Sequence, residues 1–76
     1  MASVYPNPSA GRFIITVSGN TGEPVSIRVL DVAGRIIYTA FGNNTTFYFG
    51  EKFVPGVYIA EAGSGNNSTR IKIIKQ

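Results

Sequence analysis

The sequence predicts an all-β domain, either a sandwich or a barrel, and three observations carry that expectation. Turn-forming residues recur about every 8–12 positions. The segments between them alternate apolar and polar side chains with period two, which lines one face of a pleated strand. No window sustains a helical period. A chain of 76 residues is one domain.

The elements follow in order. A short first strand is expected near Val4 and Tyr5. Tyr5-Pro6-Asn7-Pro8 cannot be a central strand or a helix, because each proline removes a donor and pushes its neighbour toward extended backbone. It is an edge or a turn leading into Gly11. Arg12 to Ser18 reads as a strand with Phe13, Ile15 and Val17 on one face. Gly19-Asn20-Thr21-Gly22 is a loop. Pro24 to Leu30 is the clearest strand, with Val25, Ile27 and Val29 inward and Ser26 and Arg28 outward. Asp31-Val32-Ala33-Gly34 suits a type I turn closed by a left-handed residue, in which Asp31 caps the turn amides and Gly34 takes positive φ.

Arg35 to Phe41 is the return strand. It is apolar on both faces, which places it between other strands. Gly42-Asn43-Asn44 is a turn, and Thr45 to Phe49 is a short aromatic strand ending at Gly50. Glu51 to Pro55 is a crossover loop, since Pro55 rules out a central strand. Gly56 to Ala62 is a strand with Tyr58, Ala60 and Ala62 inward. Gly63 to Asn67 is a hairpin tip, and Ser68 to Lys75 is the last strand.

That last strand poses a question of parity. Ile71 and Ile73 point one way, Arg70 and Lys72 the other. Strict alternation sends Ile74 out beside Lys72 and sends Lys75 in. The alternatives are a bulge, or docking that ends at Ile73 with Ile74 facing something else. On residue chemistry alone the plainer account is a frayed last strand. The other account is a recognition feature at the end of the chain.

Composition excludes more than it proves. There is no Cys and no His, so no disulfide, no His/Cys zinc site, no catalytic triad and no cysteine nucleophile. Glu23, Asp31, Glu51 and Glu61 are scattered over different segments, with no spacing for an acid/base pair or a calcium loop. No cofactor, metal or enzymatic activity is expected. A net charge of +3, from seven basic and four acidic residues, does not demand nucleic acid or anionic lipid. Arg28, Arg35, Arg70, Lys72 and Lys75 with Tyr38, Tyr48 and Tyr58 would supply a stacking platform, but no RNP-like signature accompanies them, and no nucleic acid is expected. Thr46, Tyr48 and Arg35 on an exposed sheet face would permit sugar binding, so a carbohydrate-binding accessory module is an alternative. Asn-x-Ser/Thr triplets at Asn43, Asn44, Asn66 and Asn67 fall in turns where Asn is expected anyway.

No apolar run approaches the roughly 18 residues of a membrane span. Met1-Ala2-Ser3 leads into Tyr5 with no basic or apolar region ahead of it, so residues 1–3 are expected to be a start or linker remnant on a piece of a longer chain. A chain this short buries only roughly 60% of its unfolded surface. A shared sheet edge would help, which leaves self-association through sheet edges open.

Four motifs carry a resemblance. They are Val4-Tyr5-Pro6-Asn7-Pro8 with Gly11 and Phe13, then Val29 to Arg35, then Pro55-Gly56-Val57-Tyr58-Ile59, then Ile71-Lys72-Ile73-Ile74-Lys75-Gln76. In this order and spacing, over residues 4–76, the chain resembles the C-terminal sorting domain family of the type IX (Por) secretion system. The resemblance implies a seven-stranded immunoglobulin-like antiparallel β-sandwich. It implies a C-terminal secretion signal for an upstream cargo domain in the same chain. Such cargo reaches the periplasm by its own signal peptide, crosses through the outer-membrane translocon and is attached at the cell surface or released. A sortase-like peptidase usually removes the domain. The resemblance also allows a retained domain of a type IX machinery or signalling component.

Carried over residue by residue, Ile71 to Gln76 would be the translocon-recognition motif, with Lys72, Lys75 and Gln76 making polar contacts. Tyr5, Pro6, Asn7, Pro8, Gly11, Asp31, Gly34, Gly56 and Tyr58 would be its structural support. Deleting Lys72 to Gln76 is then expected to block export with the fold largely kept. Ala60 and Ala62 stand where larger aliphatics are expected, which thins the core unless Tyr58 or a neighbouring Phe fills the space.

Overall fold

A computed structural model describes residues 2–18 and 22–76. Met1 and most of the expected loop at 19–22 lie outside them. Seven strands run in chain order: β1 (Ala2–Tyr5), β2 (Phe13–Val17), β3 (Val25–Asp31), β4 (Ile36–Gly42), β5 (Thr46–Phe49), β6 (Gly56–Ser64) and β7 (Asn67–Lys75). They form two sheets of order β1-β2-β5 and β4-β3-β6-β7, with every pairing antiparallel. This is the seven-stranded β-sandwich that the resemblance implied. β1 starts at Ala2, two residues ahead of the boundary read at Val4.

The alternating residues of both sheets meet in one core. Phe13, Ile15 and Val17 of β2 and Phe47 and Phe49 of β5 come from the small sheet. Val25, Ile27 and Val29 of β3, Tyr58, Ala60 and Ala62 of β6, and Ile73 of β7 come from the large one. Burying each large side chain contributes about 1.5–3 kcal/mol. Ala60 and Ala62 are fully buried, and the same core holds a cluster of aromatic rings. Phe49 stacks on Phe13 at 5.6 Å and on Tyr38 at 5.2 Å, and Phe53 bridges Phe49 to Tyr58 at 6.0 and 4.8 Å.

The return strand differs from its sequence reading. β4 is an edge strand, not one flanked on both sides. A bulge explains its two apolar faces. Val29 pairs with Tyr38, but the next residue, Leu30, pairs with Ile36, so Ile37 is the extra residue. Ile37 and Tyr38 both pack against the core, while Ile36 and Phe41 stay on the outside. Apolarity on both faces came from a local kink rather than from flanking strands.

The hairpin between β3 and β4 is closed as expected. Asp31 Oδ1 accepts from the amides of Ala33 (3.0 Å) and Arg35 (2.9 Å), and Gly34 sits at φ +86°. β6 and β7 run further than predicted, so the hairpin tip shrinks to Gly65 and Asn66.

Candidate recognition surface

The alternation of β7 is unbroken to its end. Its register with β6 runs without a shift from Ser64–Asn67 to Gly56–Lys75. Ile73 is fully buried, Lys75 points inward, and Lys72, Ile74 and Gln76 lie outside. The strand neither bulges nor frays within the described residues.

Lys75 is 5% exposed, and its ammonium is held by three main-chain carbonyls. It donates to Gly11 O (2.8 Å), to Gly50 O and to Glu51 O (3.1 Å). An ammonium has three N–H donors and no acceptor, so three carbonyls satisfy it fully. Without them, burial of the charge would be prohibitive. Gly50 is placed for this by its backbone, at φ +89°, and a Cβ there would come within 2.8 Å of the Phe13 ring. Only glycine turns its carbonyl to Lys75 at that point without strain.

The Pro-Asn-Pro segment explains the edge. β7 is the last strand of its sheet, and its outer edge needs partners. Asn7 Nδ2 donates to Lys72 O, and Asn7 Oδ1 accepts from the Ile74 amide, each at 3.0 Å. Ser9 then continues as a short parallel bridge, donating its amide to Ile74 O (3.0 Å) and accepting from the Gln76 amide (2.8 Å). Prolines have no N–H to give. Asn7 therefore serves with its side-chain amide, and Ser9, beyond Pro8, with its backbone. The Ser9 hydroxyl is buried and donates to Arg12 O at 2.8 Å, fixing the bend into β2.

The outer face of the large sheet is ordered in rows by the register. One row is Thr39, Arg28, Glu61 and Arg70. Glu61 accepts from Arg28 Nε at 2.9 Å and pairs with Arg70 Nε at 2.9 Å. The hydrogen bond from Arg28 leads in holding its carboxyl below the ordinary carboxylate range. Asp31 is lowered too, mainly by the Arg35 amide. The next row toward the chain end is Ile36, Leu30, Ile59 and Lys72, and beyond it Val57 lies beside Ile74.

The supporting residues converge. Tyr58 is buried with its hydroxyl donating to Val54 O, and Gly56 pairs with Lys75. Asp31 pairs with Tyr58 across β3 and β6. Gly11 gives its carbonyl to Lys75 and Asn7 clamps the edge. Tyr5 takes no part in this cluster. It lies on the outer face of the small sheet, paired with Ile14, and is 47% exposed. Of the terminal motif, Ile73 and Lys75 are interior, Ile71 is half-buried, and Lys72, Ile74 and Gln76 are exposed.

Two sets of residues escaped the sequence reading. Ser9 left no signal beyond its place after Pro8. Leu30, Ile36, Val57 and Ile59 did leave one, since apolar neighbours such as Val29-Leu30, Ile36-Ile37 and Ile73-Ile74 break alternation on strands that the register aligns.

The residues weighed for other ligands are dispersed. Thr46 and Tyr48 lie on β5, with the Arg12 guanidinium over the Tyr48 ring at 4.6 Å, whereas Arg35 is paired with Asp31 in the hairpin of the other sheet. Tyr58 and Lys75 of the stacking set are buried, and Tyr38 packs on Phe49. Among the described residues no three acids converge as a cation site.

The comparisons agree with this architecture. A family model described as the secretion system C-terminal sorting domain matches residues 3–76. No curated protein matches. Among solved structures, the chain is similar in fold to PorZ, an essential bacterial surface component of the type IX secretion system of Porphyromonas gingivalis. The TM-score is 0.77 at 23% identity, over 99% of this chain and 11% of that one. The chain thus spans about a ninth of the length of PorZ.

Proposed function

The chain belongs to the family of secretion system C-terminal sorting domains, and from that membership we propose how it is read. Membership makes it a type IX sorting signal that engages the type IX machinery and directs export to the outer membrane or cell surface. We assign it no catalytic role. Its partners are taken to be the outer-membrane translocon and a sortase-like peptidase complex, met after transit of the periplasm, with an upstream cargo domain joined ahead of β1.

One observation supports the reading most. Residues from the opening motif and the penultimate strand, more than 15 positions from the terminus in sequence, meet at the end of β7 and hold it rigid. Lys72, Ile74 and Gln76 are thereby presented on a fixed frame, and Lys75 belongs to the frame. Fixed presentation lowers the ordering cost of binding. Edge pairing of a partner strand along Lys72 to Gln76 is opposed, because Asn7 and Ser9 already occupy that edge.

The expectation that Lys72 to Gln76 can be deleted with the fold kept is corrected by the same geometry. That deletion removes the buried Ile73 and the Lys75 ammonium from the interior. Recognition is tested instead with a periplasm-directed reporter ending in this chain. The reporter should reach the surface of type IX-competent cells, and Lys72→Glu with Ile74→Ser should retain it inside while leaving its protease resistance unchanged. Equal surface arrival in cells lacking the machinery would refute the proposal.

A further inference from the structure

We propose that the apolar outer face at the chain-end half of the large sheet is the docking surface for the machinery, and that its partner is a protein face which is itself apolar and carries a carboxylate for Lys72. This rests on the sorting function and names the chemistry of the partner. Leu30, Ile36, Val57, Ile59 and Ile74 form a continuous field, because the register sets Ile36 beside Leu30, Leu30 beside Ile59, and Val57 beside Ile74. Ile36, Val57 and Ile74 are 48%, 38% and 38% exposed. All five face away from the sandwich core, so the core does not account for their apolarity. Leu30 and Ile59, lying between them, are half-buried, and a contiguous apolar field of this kind on an outer face marks an interaction surface.

Charge selects the occupant. Glu61 borders the field but is shared by Arg28 and Arg70. Asp31 is taken by its turn amides and Arg35. Lys72 sits across from Ile59 and, among the described residues, has no ion-pair partner. A carboxylate for Lys72 must therefore come from outside. A second copy docked through this same face brings no free one, since its Glu61 and Asp31 are engaged in the same way. A foreign protein face with an acid set in an apolar surround fits both features, and such a pair steers encounter as well as holding the complex.

The test uses the full chain on the reporter, with surface arrival and unfolding midpoint measured for each variant. Wild type is expected to export. Val57→Thr with Ile59→Thr, both outward positions of β6, should lower export about tenfold with the midpoint retained, the loss of one strong contact. Lys72→Glu should do the same and Lys72→Arg should not. Tyr48→Thr, on the outer face of the small sheet, should leave export unchanged. If the double threonine variant lowers the midpoint, a photo-crosslinker at Val57 replaces it. It should capture a type IX outer-membrane component, and the same probe at Tyr48 should not. Normal export by well-folded Val57 and Ile59 variants would overturn the docking surface while leaving the sorting function intact. Failure of wild type to export would defeat the sorting function itself. Lys72-dependent binding to phosphatidylethanolamine–phosphatidylglycerol vesicles, or a sedimenting dimer abolished by Lys72→Glu, would also overturn the proposal, in favour of lipid or of a second copy.

Discussion

Lys72 and Lys75 are three residues apart on one strand, and their surroundings are opposite. Lys75 is enclosed, with every N–H of its ammonium given to a carbonyl. Lys72 lies in solvent beside isoleucines, with no carboxylate paired to it among the described residues. An odd separation on a strand puts two side chains on opposite faces of the sheet. One lysine therefore closes the fold, and the other is left exposed on the outer face. Two lysines of one strand become a structural clamp and an exposed side chain according to parity alone.

The comparison is most severely tested at Lys75. Lys75→Met removes the ammonium from three carbonyls: Gly50 O keeps the Phe53 amide (3.2 Å), and the part-buried Gly11 O and Glu51 O lose this donor, at about 1 kcal/mol or more apiece. Urea denaturation should show a loss of about 2–3 kcal/mol, a large share of the stability of a domain of this size. Retention of the midpoint would show that Lys75 is no clamp. Gly50→Ala should follow, costing about 2 kcal/mol from positive φ and the approach to Phe13. Asn7→Ala removes two hydrogen bonds from the β7 edge. It should cost about 1–2 kcal/mol in the same assay and speed amide exchange at Ile74.

Acid should act more weakly. Glu61 and Asp31 titrate below their ordinary values of 4.5 and 3.8. Their stabilising effect is complete above those values and is lost as pH falls through the lowered folded-state values. Thermal stability should therefore hold from neutral pH to about 4.5 and drop below it, and Glu61→Gln should flatten the upper part of that drop. The exposed ends of Arg28 and Arg70 keep the Glu61 effect under about 1 kcal/mol. Smallest of all, Lys72→Glu should shift the urea midpoint by less than about 0.5 kcal/mol. A large shift there would place Lys72 in the frame and erase the contrast with Lys75.

Much of the fold was legible because strand parity is a local signal. Phe13, Ile15 and Val17, or Val25, Ile27 and Val29, declare an inner face with no knowledge of their neighbours. The Asp31 turn was legible for the same reason, since its bonds close within four residues. Strand order was not. β4 read as central because the bulge at Ile37 depends on pairing with β3, and pairing is not written along one strand. The site was legible in part. The terminal motif stood out as a candidate, yet nothing local distinguishes a lysine that will meet three carbonyls from one that will meet water.

From the residues alone came the all-β class, the inner faces of the strands, the hairpin at Asp31 and the family. The tertiary structure decided that Lys75 is interior, that Asn7 and Ser9 seal the β7 edge, and that Leu30, Ile36, Val57, Ile59 and Ile74 share one surface. Period-two patterning and turn chemistry act between neighbours in sequence. The Lys75 clamp joins residues 25 and 64 positions apart, and the outer field joins four strands. Both exist only once the register is set, because only then do distant carbonyls and side chains come within reach.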